Sequence, residues 1–176
     1  MKEQPMSFIS ENTYRLHKEY LNTLRLRYSI LIKSEPRLFE LSIPDIKKYR
    51  RIKPDIKEEA IALYSQILSH ELYFSSFGAS GARSDAVRAE YGSESSFLYT
   101  TMRSALNFGE GYCFIIKSGG GIFAQNTKSP SEIYQNDRIT PKLCIDLYEH
   151  AYFRDYGFER EEYLSAALFH LNLSVL

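Results

Sequence analysis

The 176-residue chain has no tryptophan, only two cysteines and no excess of either charge. Lysine plus arginine number 22 and aspartate plus glutamate number 22, so the formal net charge at pH 7 is +0 with neutral histidines. A generic binder of nucleic acid or of an anionic membrane surface carries a basic excess, so both partner classes are set aside. No uncharged apolar run approaches the ~18 residues of a membrane-spanning helix. Met1-Lys2-Glu3-Gln4-Pro5 lacks the apolar stretch of a secretory leader, and the expected compartment is the cytoplasm. Cys113 and Cys144 lie inside apolar runs and read as buried thiols of a reducing compartment, ahead of a disulfide or a reactive pair.

What the chain has in quantity is the smaller aromatic ring, with 14 Tyr and 11 Phe. A buried tyrosine needs a partner for its hydroxyl, so a Tyr-rich interior is also a source of hydrogen-bond donors. Apolar residues at 44% and charged residues at 25% are those of a folded domain, not of a disordered segment.

Residues 8–31 read as a long helix with Ser10 as N-cap and Ile9, Leu16, Leu21, Leu24, Tyr28 and Leu31 on its apolar face. Pro36, Pro44 and Pro54 break the next segment into short pieces. Within it Lys47-Lys48-Tyr49-Arg50-Arg51-Ile52-Lys53 reads as a solvated connector in preference to a phosphate site. A second helix is expected over 55–77, closed by Gly78-Ala79-Ser80-Gly81, which looks like a joint between two halves. A third helical region over 82–107 is interrupted near Tyr91-Gly92-Ser93. Tyr112 to Ile116, Ile122 to Gln125 and Leu143 to Asp146 then read as strands, and a last helix covers about 161–173. Gly119-Gly120-Gly121 falls between two strands, so it is a hairpin turn and not a phosphate cradle. The expected fold is α+β: an N-terminal helical hairpin domain over 1–78, then a C-terminal domain over 79–176 with a small antiparallel sheet and helices.

Only four histidines are present: His17, His70, His150 and His170. Asp146 emerges from the apolar run Leu143-Cys144-Ile145, where a carboxylate is costly unless it is paired or metal-bound. Three imidazoles and one carboxylate from separate elements are a donor set for a first-row metal such as iron, manganese or zinc.

Asp146-Leu147-Tyr148-Glu149-His150-Ala151-Tyr152-Phe153 resembles the Asp-x-Trp-Glu-His-Ala-Tyr-Tyr signature of the iron/manganese superoxide dismutase family. Pro141-Lys142-Leu143 before it, and Tyr156, Arg160 and Tyr163-Leu164 after it, follow the same pattern. Ser69-His70-Glu71-Leu72-Tyr73-Phe74 is similar to that family's Asn-His-x-x-Phe-Trp, and Phe108-Gly109-Glu110-Gly111-Tyr112 to its Phe-Gly-Ser-Gly-Trp. Ile9-Ser10-Glu11 through Leu16-His17 is similar to the run of its first helix that ends in Leu-His. Tyr or Phe stands where the family has Trp. The resemblance implies one iron or manganese ion per subunit, bound by His17, His70, Asp146 and His150, and the disproportionation of superoxide to dioxygen and hydrogen peroxide. It further implies that Gln66, one turn before His70, hydrogen-bonds the metal-bound solvent as in iron-type members; manganese-type members use the position of Phe108. Glu149 and Tyr152 would link two subunits of a homodimer, or of a dimer of dimers. Arg160 is a candidate for attracting the anion.

The chain departs from the family four and eight residues after the first ligand, where Leu21 and Arg25 replace a histidine and a tyrosine that line the substrate funnel. Tyr20 and Tyr28 are then the candidates for the gateway tyrosine. The departure motivates an alternative function, a metal-binding or structural dimer of the same fold with little or no turnover. A non-haem iron oxygenase needs only two histidines and a carboxylate, and the third histidine disfavours it. His170 has no counterpart in the pattern and is expected at a surface or interface.

Overall fold

The computed structural model describes residues 6–78 and 83–176. Two long antiparallel helices, α1 (Glu11–Ser34) and α3 (Pro54–Ser75), flank a short helix, α2 (Ile43–Lys48), and a 3-10 turn, Pro36–Glu40. Next come α4 (Asp85–Tyr91), α5 (Glu94–Phe108), β1 (Tyr112–Ser118), β2 (Gly121–Thr127), α6 (Ser131–Tyr134) and β3 (Thr140–Asp146). A 3-10 turn (Glu149–Ala151), α7 (Phe153–Tyr156), α8 (Arg160–Phe169) and a final 3-10 turn (Leu173–Val175) complete it. This is the expected α+β arrangement. The joint from Ala79 to Gly81 and the start of the chain through Pro5 lie outside the described residues.

The helix ends differ from expectation for local reasons. The Ser10 side chain accepts the Thr13 amide at 3.2 Å, so α1 begins at Glu11, three residues later than the apolar pattern suggests. It runs on to Ser34, because only Glu35 is forced out of helical geometry by the following Pro36. At the other end α8 stops at Phe169 instead of near residue 173. There the chain leaves the helix to pair with the end of α3: Gly78 N donates to the His170 carbonyl and Asn172 N to that of Ser76.

The sheet has the order β2-β1-β3, all antiparallel. Gly119 and Gly120 make the β1–β2 turn with φ of 58° and 88°, values that favour glycine, as expected of a hairpin. The central strand β1 is buried along most of its length, while β3 takes a bulge near Pro141, which has no amide to give to the ladder. Tyr112, Phe114, Cys144 and Asp146 are cross-strand partners on one face, and α3 packs against β3. The Ser76 hydroxyl accepts the Cys144 amide at 2.7 Å and ties the two together.

Two apolar clusters fill the interior. One joins Leu21, Leu24, Tyr28, Leu38, Ile46 and Ile67 within the helical hairpin; the other joins Phe8, Ile9 and Tyr73 to the sheet, α5 and α8. Each fully buried Leu or Ile contributes about 1.5–3 kcal/mol relative to exposure. His17 and His70 sit on α1 and α3 at the level where those helices pass from one cluster to the other. Arg50, Arg51 and Lys53 are exposed, which agrees with a solvated connector.

Candidate metal centre

Four side chains from four segments meet at that level. His17 comes from α1, His70 from α3, Asp146 from the end of β3 and His150 from the 3-10 turn just beyond it. The Nε2 atoms of His17, His70 and His150 lie 3.3, 3.5 and 3.1 Å from Asp146 Oδ2. All four donor atoms fall within 4.8 Å of one another. Donors about 2.1 Å from a common first-row ion are separated by up to about 4.2 Å, so this cluster closes on one ion with little movement.

The surroundings orient each donor. Asp146 Oδ1 accepts the Tyr148 amide at 2.9 Å, which turns Oδ2 inward. The Tyr163 hydroxyl donates to the Asp146 carbonyl oxygen at 2.8 Å. His70 Nδ1 donates to the Gln66 carbonyl at 2.7 Å, so the lone pair of Nε2 faces the centre. Among the described residues, His17 Nδ1 is buried with no hydrogen-bond partner, and the Nε2 atoms of His17 and His70 are buried with nothing nearer than the shared Asp146 oxygen and no well-aligned hydrogen bond. Buried nitrogens left unpaired cost about 1–3 kcal/mol each, a cost that a bound cation removes. The residues present therefore fit a metal ion.

The electrostatics agree. Burial lowers the His70 imidazole to about 4, against a weaker opposing effect of Asp146, which leaves it in the neutral form that ligates. Burial acts on His150 in the same direction, but the Asp146 charge and hydrogen bond outweigh it and hold this imidazole above its ordinary value. Burial alone would raise Asp146; the charge and hydrogen bond of His150, and then the hydrogen bond and charge of His17, prevail and keep its carboxyl well below the usual carboxylate range. One anionic and three imidazole donors suit iron, manganese or zinc.

Aromatic rings enclose the imidazoles. Tyr73 and Phe74 pack on His17, Tyr112 on His70, and Tyr148 stacks on His150 with ring centroids 5.8 Å apart. The ring of Tyr20 is 5.3 Å from that of His70 and 5.0 Å from that of His150. It borders two openings. The smaller, about 210 Å³, is lined by Tyr20, Gln66, Tyr112, Lys128, Pro130, Tyr148 and His150. The larger, about 500 Å³, is walled by His17, Tyr20, Glu149, His150, Phe153 and Arg154.

Among the expected site residues, Gln66 and Tyr20 lie at the centre and Glu149 at the larger opening. Tyr28 does not, because it stacks on Tyr64 inside the hairpin cluster and donates to the Leu38 carbonyl. Arg160, expected beside the centre as an attractor of anions, instead donates to the carbonyls of Ala105, Leu106 and Gly109 at the end of α5. It lines neither opening. Tyr152, expected at a contact between subunits, is buried and stacked on Tyr163 at 4.7 Å. His170 stacks on Phe8, away from the centre. Tyr73, Tyr112, Tyr148 and Tyr163 stand in the motif runs without an expected role at the centre, and Lys128 stands in none of them. Tyr112 and Tyr148 had a signal, since each stands where the resembling family has Trp.

Residues 79–175, more than half of the chain, match the C-terminal domain of iron/manganese superoxide dismutases. The chain is 33% identical to a protein named superoxide dismutase (Fe) of Pseudoalteromonas translucida over 108 residues, 57% of this chain and 56% of that protein. It is 34% identical over 116 residues to the one so named in Cupriavidus metallidurans, covering 62% of this chain and 58% of that protein. The corresponding protein of Escherichia coli K12 is 29% identical over 107 residues, 57% of this chain and 55% of that protein. In these matches the chain spans about half the length of the curated relatives. His17 and His70 precede the segment that matches the family domain, yet the fold brings both to the Asp146 and His150 of that segment. The chain belongs to the iron/manganese superoxide dismutases.

Proposed function

We propose that this chain disproportionates superoxide to dioxygen and hydrogen peroxide at one iron ion held by His17, His70, Asp146 and His150. The observation that carries the proposal is the convergence of three imidazole Nε2 atoms on one carboxylate oxygen, with the buried His17 and His70 Nε2 atoms making no well-aligned hydrogen bond among the described residues. A bound iron supplies one-electron exchange between its trivalent and divalent states.

The protein supplies the setting. Asp146 offers the single negative charge, and the Gln66 carbonyl fixes the His70 tautomer. The Gln66 side chain, on the wall of the smaller cavity beside His150, would donate a hydrogen bond to solvent on the bound ion. Tyr20 is the gateway tyrosine: its ring stands between the two openings and touches two of the imidazoles. Burial, and then the Asp146 charge, raise its hydroxyl above the ordinary value, so it holds its proton at neutral pH.

Iron is preferred to manganese. The relatives above carry iron in their names, and Gln66 lies on the wall of the cavity, whereas Phe108 lines neither opening and carries no argument about the metal. A homodimer, or a dimer of dimers, forms across the larger opening, where exposed Glu149 and Phe153 border His150. The buried, free thiols of Cys113 and Cys144 suit the reducing cytoplasm.

The test is reconstitution of the metal-free chain with iron or manganese separately, with superoxide removal and metal content measured on the same samples. Turnover by the iron form at a rate above that of the free ion is expected. Stoichiometric metal without turnover would favour the metal-binding dimer instead.

A further inference from the structure

Resting on that reading, we infer that Lys128 steers the substrate anion, and that anions enter through the smaller cavity, beneath Lys128, between Gln66, Tyr112 and Tyr148. A chain with a net charge of +0 has no overall field to attract an anion, so attraction depends on where single cations stand. At physiological salt a charge acts over only about 8 Å. Arg160, Arg25 and Arg154 are engaged elsewhere or offset. Arg160 is spent on the carbonyls of α5, and Arg25 pairs with Glu71 at 2.8 Å. Arg154 lines the larger opening together with Glu149, and their opposite charges offset one another there.

The smaller cavity has a different character. Lys128 is the only lysine or arginine among its lining residues, and no carboxylate lines it. Three phenols, one amide and the His150 imidazole complete its polar wall. The position of Lys128 is built by its loop. Thr127 Oγ1 accepts the Ser129 amide at 2.9 Å and donates to Glu132 at 2.8 Å. The Tyr148 hydroxyl donates to the Lys128 carbonyl at 3.3 Å, which ties this loop to the segment that carries Asp146 and His150. Two carboxylates stand near the cavity but outside its lining: Glu132, turned to Thr127, and Glu110, whose charge reaches Tyr148. Lys128 is exposed at the mouth of this cavity.

Azide, a small monovalent anion, is the probe. Iron-loaded wild type, Lys128→Gln and Lys128→Arg are titrated with azide, and kcat/KM for superoxide is measured across a range of ionic strength. Lys128→Gln is expected to weaken azide binding and lower kcat/KM roughly threefold at low salt, the share of one charge in such a field. It should also flatten the salt dependence, and Lys128→Arg should restore both. Melting temperature and iron content should not change. An unaltered azide affinity and salt slope in Lys128→Gln would overturn the inference, as would a wild type that binds no azide. If azide binding depends on Lys128 while superoxide is not consumed, the steering role stands and the proposed activity fails.

Discussion

Gly111 packs so closely on the main chain of Thr127 that a Cβ at this position would lie 2.5 Å from the Thr127 carbonyl oxygen. Its φ of 137° is also one that a side chain disfavours. The same glycine accepts the Leu147 amide at 2.8 Å, so it sits between the loop that bears Lys128 and the turn that bears His150. Gly111→Ala is therefore expected to cost about 2–4 kcal/mol, strain and clash together. In a chain of this length that lowers the melting temperature by about 5–15 °C. Thermal unfolding by circular dichroism measures it, and an unchanged midpoint would mean that the two strands separate freely.

Removal of the metal should destabilise the chain more than any single surface substitution. It leaves the His17 and His70 Nε2 atoms buried without a well-aligned hydrogen bond around a fully buried Asp146. An ion that binds only the folded state adds about 4 kcal/mol when its concentration is 1,000 times its dissociation constant. Chelation is thus expected to lower the unfolding midpoint, and iron added back should restore it. His17→Ala and Asp146→Asn should show the low midpoint with or without iron. A midpoint indifferent to chelation would show that the four side chains hold no ion.

The sequence carried local features well and distant ones poorly. Asp146 and His150 were legible because they are four residues apart, next to an apolar strand in which a carboxylate needs a reason. Ser10 was legible as a cap, and the glycine run as a hairpin turn, because each acts within a few residues. His17 and His70 are each one histidine on an amphipathic helix, a pattern with many meanings. Only the resemblance joined them to the other two. The partners of Arg160 are set by where α5 ends against α8, a tertiary fact without a local signature. The early end of α8 likewise follows from pairing of residues 171 and 172 with the end of α3. Lys128 reads as one more lysine in a polar loop until the Tyr148 hydroxyl is seen on its carbonyl.

Arg160 offers a second stability test that also separates two roles. Its guanidinium serves carbonyls of the last turn of α5, together with that of Gly109. Each charge-assisted hydrogen bond of this kind is worth about 1.5–3 kcal/mol. Arg160→Ala is expected to lower the melting temperature while leaving the salt dependence of the superoxide rate as in wild type. A flattened salt dependence with an unchanged midpoint would assign Arg160 to anion attraction after all.

The two cysteines should be silent in the folded protein. Burial pushes the Cys113 thiol up to about 12 and Cys144 well above its ordinary value, and neither has a disulfide partner. At pH 8 both are thiols with no path to solvent, whereas the thiolate is the reactive form. A chromogenic disulfide reagent is expected to label both in denaturant and neither without it. Rapid labelling of the native chain would show that the sheet opens locally.

Gln66 tests the metal reading at the level of one hydrogen bond. Its carbonyl and its side chain have separate tasks: the carbonyl accepts from His70 Nδ1, while the side chain lines the cavity beside His150. Substitution removes only the second, since any residue at this position keeps the carbonyl. Gln66→Ala is therefore expected to leave iron content nearly unchanged and to lower turnover about 10–100-fold, the usual effect of losing a group that supports a metal site from outside its ligands. The reduction potential of the iron-loaded protein should shift at the same time if Gln66 has the proposed role, because the lost hydrogen bond would act on solvent whose protonation follows the charge of the ion. Gln66→Glu keeps the length and alters the donor, so it should retain iron and shift the potential differently. Loss of iron in Gln66→Ala would mean that the side chain supports the ligands themselves. Full activity with an unmoved potential would remove Gln66 from the mechanism and, with it, one of the arguments for iron over manganese.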